Sequence, residues 1–127
     1  MLVKGAATAL RDVFRAQPTS ATLAQLPWQA FRDGVEICPL YQGAQGMSSA
    51  LLKYAPGAQV PTHRHAGYEH IFVLQGAQRD ERGVYPAGSV VINAPDSTHS
   101  VASPEGCIVL VVWELPVEFV ATKDRSS

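Results

Sequence analysis

Two histidines one residue apart and a glutamate four positions later, His63, His65 and Glu69, form the stretch of this 127-residue sequence best suited to hold a metal ion. Side chains alternate along an extended strand, so His63 and His65 leave the same face. Glu69 follows the turn-prone Ala66-Gly67-Tyr68 and can return toward them. Imidazole nitrogen and carboxylate oxygen suit a divalent transition metal, and two ligands on one strand leave fewer side chains to order when it binds. Taken alone, His-x-His equally describes a pair of solvated strand histidines.

The spacing extends further. Gly57, five residues, His63, one, His65, three, Glu69, six, Gly76 resembles the first signature of the cupin family. Each glycine falls where one strand is expected to give way to the next, a place for positive φ without a Cβ penalty. The family's second signature reads Gly, five residues, Pro, one, Gly, two, His, three, Asn. Gly88 and His99 keep that spacing, but Ala94 stands at the proline position with Pro95 one place later, Asp96 replaces the glycine and Ser103 replaces the asparagine. Aspartate is among the few residues that tolerate a left-handed turn, so Asp96 is expected in the turn that presents His99.

The cupin resemblance implies an all-β fold, a single jelly-roll barrel or double-stranded β-helix. It also implies a metal set of His63, His65, Glu69 and His99, holding one divalent ion per chain: Zn, Fe, Mn, Ni or Co. The competing role for His99 is a strand histidine hydrogen-bonded to backbone. Asn93, Asp96 and Ser97 are turn residues first and candidates for orienting the ligands second.

The run Asp80-Glu81-Arg82-Gly83-Val84-Tyr85-Pro86-Ala87-Gly88, with Ser103-Pro104-Glu105-Gly106-Cys107, narrows the resemblance. It is similar to the cupin half of the ChrR-type zinc anti-sigma factors, a subgroup that includes metal-dependent dioxygenases of small diketones. The likeness covers residues 26–118. It implies a metal-dependent dioxygenase-like enzyme acting on a small oxygenated organic substrate; the alternative is a non-catalytic zinc cupin that senses a ligand or redox state in transcriptional stress regulation. Four ligands on an octahedral metal leave two positions for a bidentate substrate, whereas zinc is content with four. A metal-stabilised interaction module is a third reading. No catalytic residue is assigned, because no separate base stands outside the ligand set, and Glu69 could remain a ligand or shift to proton transfer.

The anti-sigma role itself is not carried over at this point, since those regulators bind their sigma factor through a separate N-terminal helical metal domain and residues 1–25 here contain no His or Cys. The expected partners are therefore a small-molecule substrate or ligand and a second copy of the chain in a homodimer, without nucleic acid or membrane.

Composition agrees with one compact unit. Hydrophobic residues make up 46% of the chain, enough for one core, and ten basic against eleven acidic residues leave no electrostatic footprint for nucleic acid. Cys38 and Cys107 sit in apolar surroundings, where buried free thiols are the default. The N-terminus reaches Arg11 and Asp12 too soon for a signal peptide, and no apolar run approaches ~20 residues, so the cytoplasm is the expected location.

These ligands need strands to carry them. Residues 4–16 place Ala6, Ala9, Leu10, Val13 and Phe14 on one helical face, and that helix would end before Pro18. Residues 1–25 are thus a helix or tail, 26–120 the cupin domain and 121–127 a C-terminal tail. From Leu26 onward, short apolar runs cut by Gly and Pro predict strands at 28–31, 35–41, 48–54, 60–65, 69–74, 77–82, 89–93, 97–102 and 107–115. If Glu69 points inward, Ile71 and Val73 follow it, and His70, Phe72 and Leu74 face outward. His70 is left out of the site for that reason. Val60, Ile71, Val73, Val91 and Val111, with Trp28, Tyr54 and Trp113, are the candidate apolar walls.

Overall fold

A computed structural model of the chain describes residues 20–120, so the expected helix at 4–16 and the tail at 121–127 lie outside the described residues. The chain enters through a short helix, α1 (Ser20–Ala24), and thereafter is almost entirely antiparallel β. The strands are β1 (Gln29–Arg32), β2 (Val35–Gln42), β3 (Ser48–Tyr54), β4 (Ala58–Arg64), β5 (Glu69–Asp80), β6 (Gly83–Pro86), β7 (Val90–Asn93), β8 (Thr98–Ser103), β9 (Cys107–Trp113) and β10 (Glu118–Phe119). A single turn of 3-10 helix at Ala44–Gly46 separates β2 from β3.

The order β1-β2-β3-β9-β5-β8-β4-β10 curls on itself, with β6 and β7 also paired to β5. The fold is a cupin barrel, all-β as expected. Its corner is made by β5: residues 69–76 pair with β9 and β7, while residues 77–80 pair with β6 and, at Arg79, with β8. The sequence predicts two strands here, 69–74 and 77–82, parted around Gly76. Gly76 does take positive φ, at 70°, but the strand runs on through it, with a register shift between Val73 and Gln75 that re-aims the chain into the second sheet.

Two apolar clusters hold the fold. The inner one fills the barrel with Leu52, Tyr54, Val60, Ile71, Val109 and Val111, among others. The outer one packs Cys38, Leu40 and Leu51 against Leu26, Trp28, Leu74 and Leu110. Strand β3 is therefore buried on both faces, Leu51 outward and Leu52 inward, which a simple alternation does not reveal. Trp28 belongs to this outer cluster, its indole N–H donating to Leu23 O at 2.9 Å, and so is not a wall of the barrel interior. Both cysteines are free and buried, Cys38 in the outer cluster and Cys107 in the inner one, and burial pushes both thiols up.

Candidate metal centre

His63 lies near the end of β4, His65 just beyond it, Glu69 opens β5 and His99 is the second residue of β8. His63 and His99 are register partners across β4 and β8. All four side chains are buried, and one ligand atom from each lies within 4.8 Å of the others. His70 faces outward, half-buried, as the alternation of β5 requires.

The contacts of the second ring nitrogen fix each tautomer. His63 Nδ1 lies 2.9 Å from Pro61 O, His65 Nδ1 lies 3.1 Å from Ser97 O and 3.0 Å from Ser97 Oγ, and His99 Nδ1 lies 3.0 Å from Asp80 Oδ2. A carbonyl or carboxylate oxygen only accepts, so Nδ1 carries the proton in each ring and Nε2 presents a lone pair. The Nε2 atoms of His65 and His99 are buried without a hydrogen-bond partner. His65 Nε2 nonetheless stands 2.9 Å from Glu69 Oε1. Two lone pairs at that separation repel unless a cation lies between or beside them, and desolvated acceptors of this kind are costly when left bare. The cluster therefore suits a metal ion, and the donor set of three nitrogens and one oxygen is one that divalent transition metals accept.

Glu69 is aimed by the strands on either side of it. Its register partners are Asn93 on β7 and Trp113 on β9. Asn93 Nδ2 donates to Oε1 at 3.0 Å and Trp113 Nε1 donates to Oε2 at 2.8 Å. Burial works to raise this carboxyl, but in the metal-free protein a hydrogen bond from His65 and the positive charge that His65, His99 and His63 carry when protonated outweigh it and hold Glu69 below the usual carboxylate range. A metal ion would do the same with the rings neutral.

The turn before β8 matches the expectation from its sequence. Asp96 sits at φ 74°, in the left-handed region, and its N–H donates to His65 O at 2.8 Å, while His65 N–H donates to Ser97 O at 2.9 Å. Ser97 is thereby held where it can orient His65. The Asp96 carboxylate does not reach a ligand; it pairs with Arg64, which also pairs with Glu118 at 2.7 Å. Trp113 was a candidate wall, and its indole turns out to grip Glu69. The sequence assigns Asp80 no role, because His99, which it holds, lies 19 residues away on another strand.

Burial pushes His63 below the ordinary histidine value, with its carbonyl partner Pro61 working against that and its neighbour His99 adding to it. The folded, metal-free protein then binds fewer protons than the unfolded chain near pH 6.5, so stability is full above ~6.5 and is lost as pH falls through the lowered folded value. The lowered Glu69 acts with the same sign at lower pH. Thermal midpoints of chelator-treated protein are expected to fall steadily from pH 7 toward pH 5; a rise on acidification would contradict this account.

Beside His63, Glu69 and His99 the barrel interior leaves a cavity of about 80 Å³, lined also by Tyr54, Ile71, Val111, Trp113 and Phe119. Phe119 lies 5.7 Å from the His63 ring, and the Arg32 guanidinium stacks 4.5 Å over it.

A sequence profile described as the ChrR cupin-like domain matches residues 16–118. The chain belongs to the ChrR cupin-like family. The anti-sigma-E factor ChrR of Cereibacter sphaeroides is 35% identical over 100 residues, which cover 76% of this chain and 46% of that protein. The crystal structure of Rhodobacter sphaeroides SigE in complex with the anti-sigma ChrR superposes with a TM-score of 0.66 at 32% identity, over 72% of this chain and 50% of that one. This chain thus spans about half the length of ChrR. An acetylacetone dioxygenase from Acinetobacter johnsonii gives a TM-score of 0.70 at 15% identity, over 84% of this chain and 76% of that one, a likeness of fold alone.

The SigE complex corrects the expected partners. A small molecule and a second copy of the chain do not exhaust what this family binds, because ChrR binds a sigma factor. That expectation weighed only metal chemistry and the missing ligand residues of residues 1–25. A protein-binding surface needs no ligand motif, so it leaves no comparable trace in the sequence.

Among the described residues, no helix is long and apolar enough to cross a membrane.

Proposed function

We propose that this chain is the metal-binding, sensing barrel of a ChrR-like regulator, in which His63, His65, Glu69 and His99 hold one divalent ion and a sigma-type protein reads the state of the barrel. The observation that carries this reading is the closed, pre-aimed four-ligand cluster, in a chain 35% identical to an anti-sigma factor. Zinc suits it, since a closed site with four protein ligands is the structural zinc arrangement. When bound, the ion supplies a charge that three strand ends share: β4, β5 and β8 each contribute ligands, so its presence or loss changes how firmly these strands are joined. A ligand or redox change that alters occupancy would thereby be converted into a change of shape or rigidity. A sigma-linked role also places the protein in the cytoplasm.

A second feature supports a protein partner. Met47, Tyr68 and Ile92 are exposed beside His70 and Val112 on the outer sheet face, where they line a groove of about 510 Å³. Exposed apolar surface of this kind commonly marks an interaction site.

The dioxygenase reading has less behind it. Its structural relatives share the fold at low identity, and one fold hosts many chemistries. The cavity beside the ligands is also well short of the ~300 Å³ at which small-molecule pockets usually begin. The test is to purify the protein without oxygen, measure metal content, reconstitute with Zn(II) or Fe(II), and follow oxygen uptake with acetylacetone. In parallel, its binding to SigE, the sigma factor that ChrR binds, is measured with and without metal. Retained zinc and metal-dependent sigma binding without oxygen uptake are expected. Substrate-dependent oxygen uptake by the iron form would restore the enzyme.

A further inference from the structure

The three imidazoles of the cluster are not held alike. His63 and His65 rest their Nδ1 on neutral oxygens of Pro61 and Ser97, whereas His99 alone rests on a carboxylate, that of Asp80. Asp80 is the last residue of β5, and its side chain is 3% exposed. Its other oxygen, Oδ1, accepts from the Tyr85 hydroxyl at 2.7 Å and from the Arg82 N–H at 2.8 Å. One carboxylate thus takes three donors, which fixes its plane and points Oδ2 at His99.

The rest of the β5–β6 turn grips the same strand. Glu81 accepts from the Ser100 N–H at 3.0 Å and from the Ser100 hydroxyl, and Arg82 Nη2 lies 3.4 Å from Thr98 O. Three consecutive residues of the turn, 80 to 82, therefore contact three consecutive residues of β8, 98 to 100. In sequence this turn lies between the two cupin signatures and belongs to neither.

We propose that Asp80 is a positioning residue for the metal centre, held by Tyr85, and that its carboxylate sets the affinity and geometry of the site through its hydrogen bond to His99. The inference rests on the metal centre proposed above. A carboxylate on the far nitrogen fixes the ring's tautomer and rotation and makes Nε2 a stronger donor, an effect commonly worth 10–100-fold in metal affinity. Charge makes this hydrogen bond about twice as strong as those at His63 and His65. His99 is then the anchored ligand of the three. Tyr85 pays the complementary role: its hydroxyl, whose pKa is pushed up to about 12 by burial and by the adjacent Asp80, stays a donor at any working pH.

The test uses the full chain. Co(II) and Zn(II) affinities are measured by chelator competition, and the visible Co(II) spectrum is recorded, for wild type, Asp80→Asn, Tyr85→Phe and Glu81→Gln, each checked as folded by circular dichroism. Asp80→Asn keeps the shape but turns an NH₂ group toward one of three donors. It is expected to lose about tenfold or more in affinity and to shift the Co(II) spectrum. Tyr85→Phe should lose less, in the same direction. Glu81→Gln, which touches Ser100 and not the imidazole, should keep wild-type affinity. A folded Asp80→Asn protein with wild-type affinity and spectrum would overturn the proposal, as would a Glu81→Gln loss equal to that of Asp80→Asn. Should Asp80→Asn not fold, Tyr85→Phe decides, since unchanged affinity there overturns the proposal. Wild-type protein that binds no metal would instead remove the metal centre itself.

Discussion

Protein carrying His65→Ala is expected to lose its metal ion on purification and to gain far less thermal stability than the wild type from the same added Zn(II), about 1 kcal/mol. His65 is 1% exposed, and its Nε2 is, among the described residues, one of two buried side-chain nitrogens without a hydrogen-bond partner. A four-ligand structural zinc site supplies roughly 10–16 kcal/mol. Shared among four ligands, that is about 3 kcal/mol each, a hundredfold or more in affinity. The wild-type protein with free zinc at a thousand times its Kd should gain about 4 kcal/mol against unfolding, and this gain should vanish with chelator. Without metal the two proteins should differ far less. Losing the ring leaves a small void but also removes the repulsion between His65 Nε2 and Glu69 Oε1. Elemental analysis and paired thermal melts with zinc or chelator would settle the matter. One tightly held ion per chain in the variant would show that the site is not built as described.

The second large effect is on folding. Gly76→Ala should fail to accumulate as soluble protein, while Gly57→Ala should fold with a modestly lowered midpoint. Both glycines belong to the same signature and both take positive φ, at 70° and 86°. At Gly57 a Cβ would meet nothing within 4 Å, leaving only the left-handed penalty of about 1–2 kcal/mol. At Gly76 it would lie 2.1 Å from Gly106 O and 2.9 Å from Cys107 Cα, backbone atoms at the entry to the paired strand β9 that have nowhere to go. Relief would require parting β5 from β9 at the corner that joins the two sheets, and losses above about 4–5 kcal/mol come from faults of this kind. Soluble yield and thermal midpoints of the two variants test the contrast; equal behaviour would mean that the corner yields more easily than its geometry indicates.

Much of this protein is legible in its sequence for one physical reason: some properties belong to short stretches of chain. His63, His65, Glu69 and His99 are chemically apt metal donors wherever they fall, and the frames around them resemble cupin signatures closely enough to assign the fold and the ChrR-like subgroup. The left-handed turn at Asp96 followed from an aspartate standing at the glycine position of the second signature, and the inward set of β5 followed from alternation.

Other features depend on which strands lie side by side, and only the folded chain decides that. Asn93 and Trp113 grip Glu69 because β7 and β9 flank it in register, and Asp80 reaches His99 because β5 bends into the second sheet at Gly76. Trp28 lies outside the barrel because α1 and the segment after it cover the outer face of β3. The bare lone pairs on Nε2 of His65 and His99, which make the cluster ask for a cation, exist because Ser97 and Asp80, from distant segments, hold Nδ1 of those two rings. Hydrogen-bond partners across strands are set by long-range register, and a sequence read locally carries no record of register.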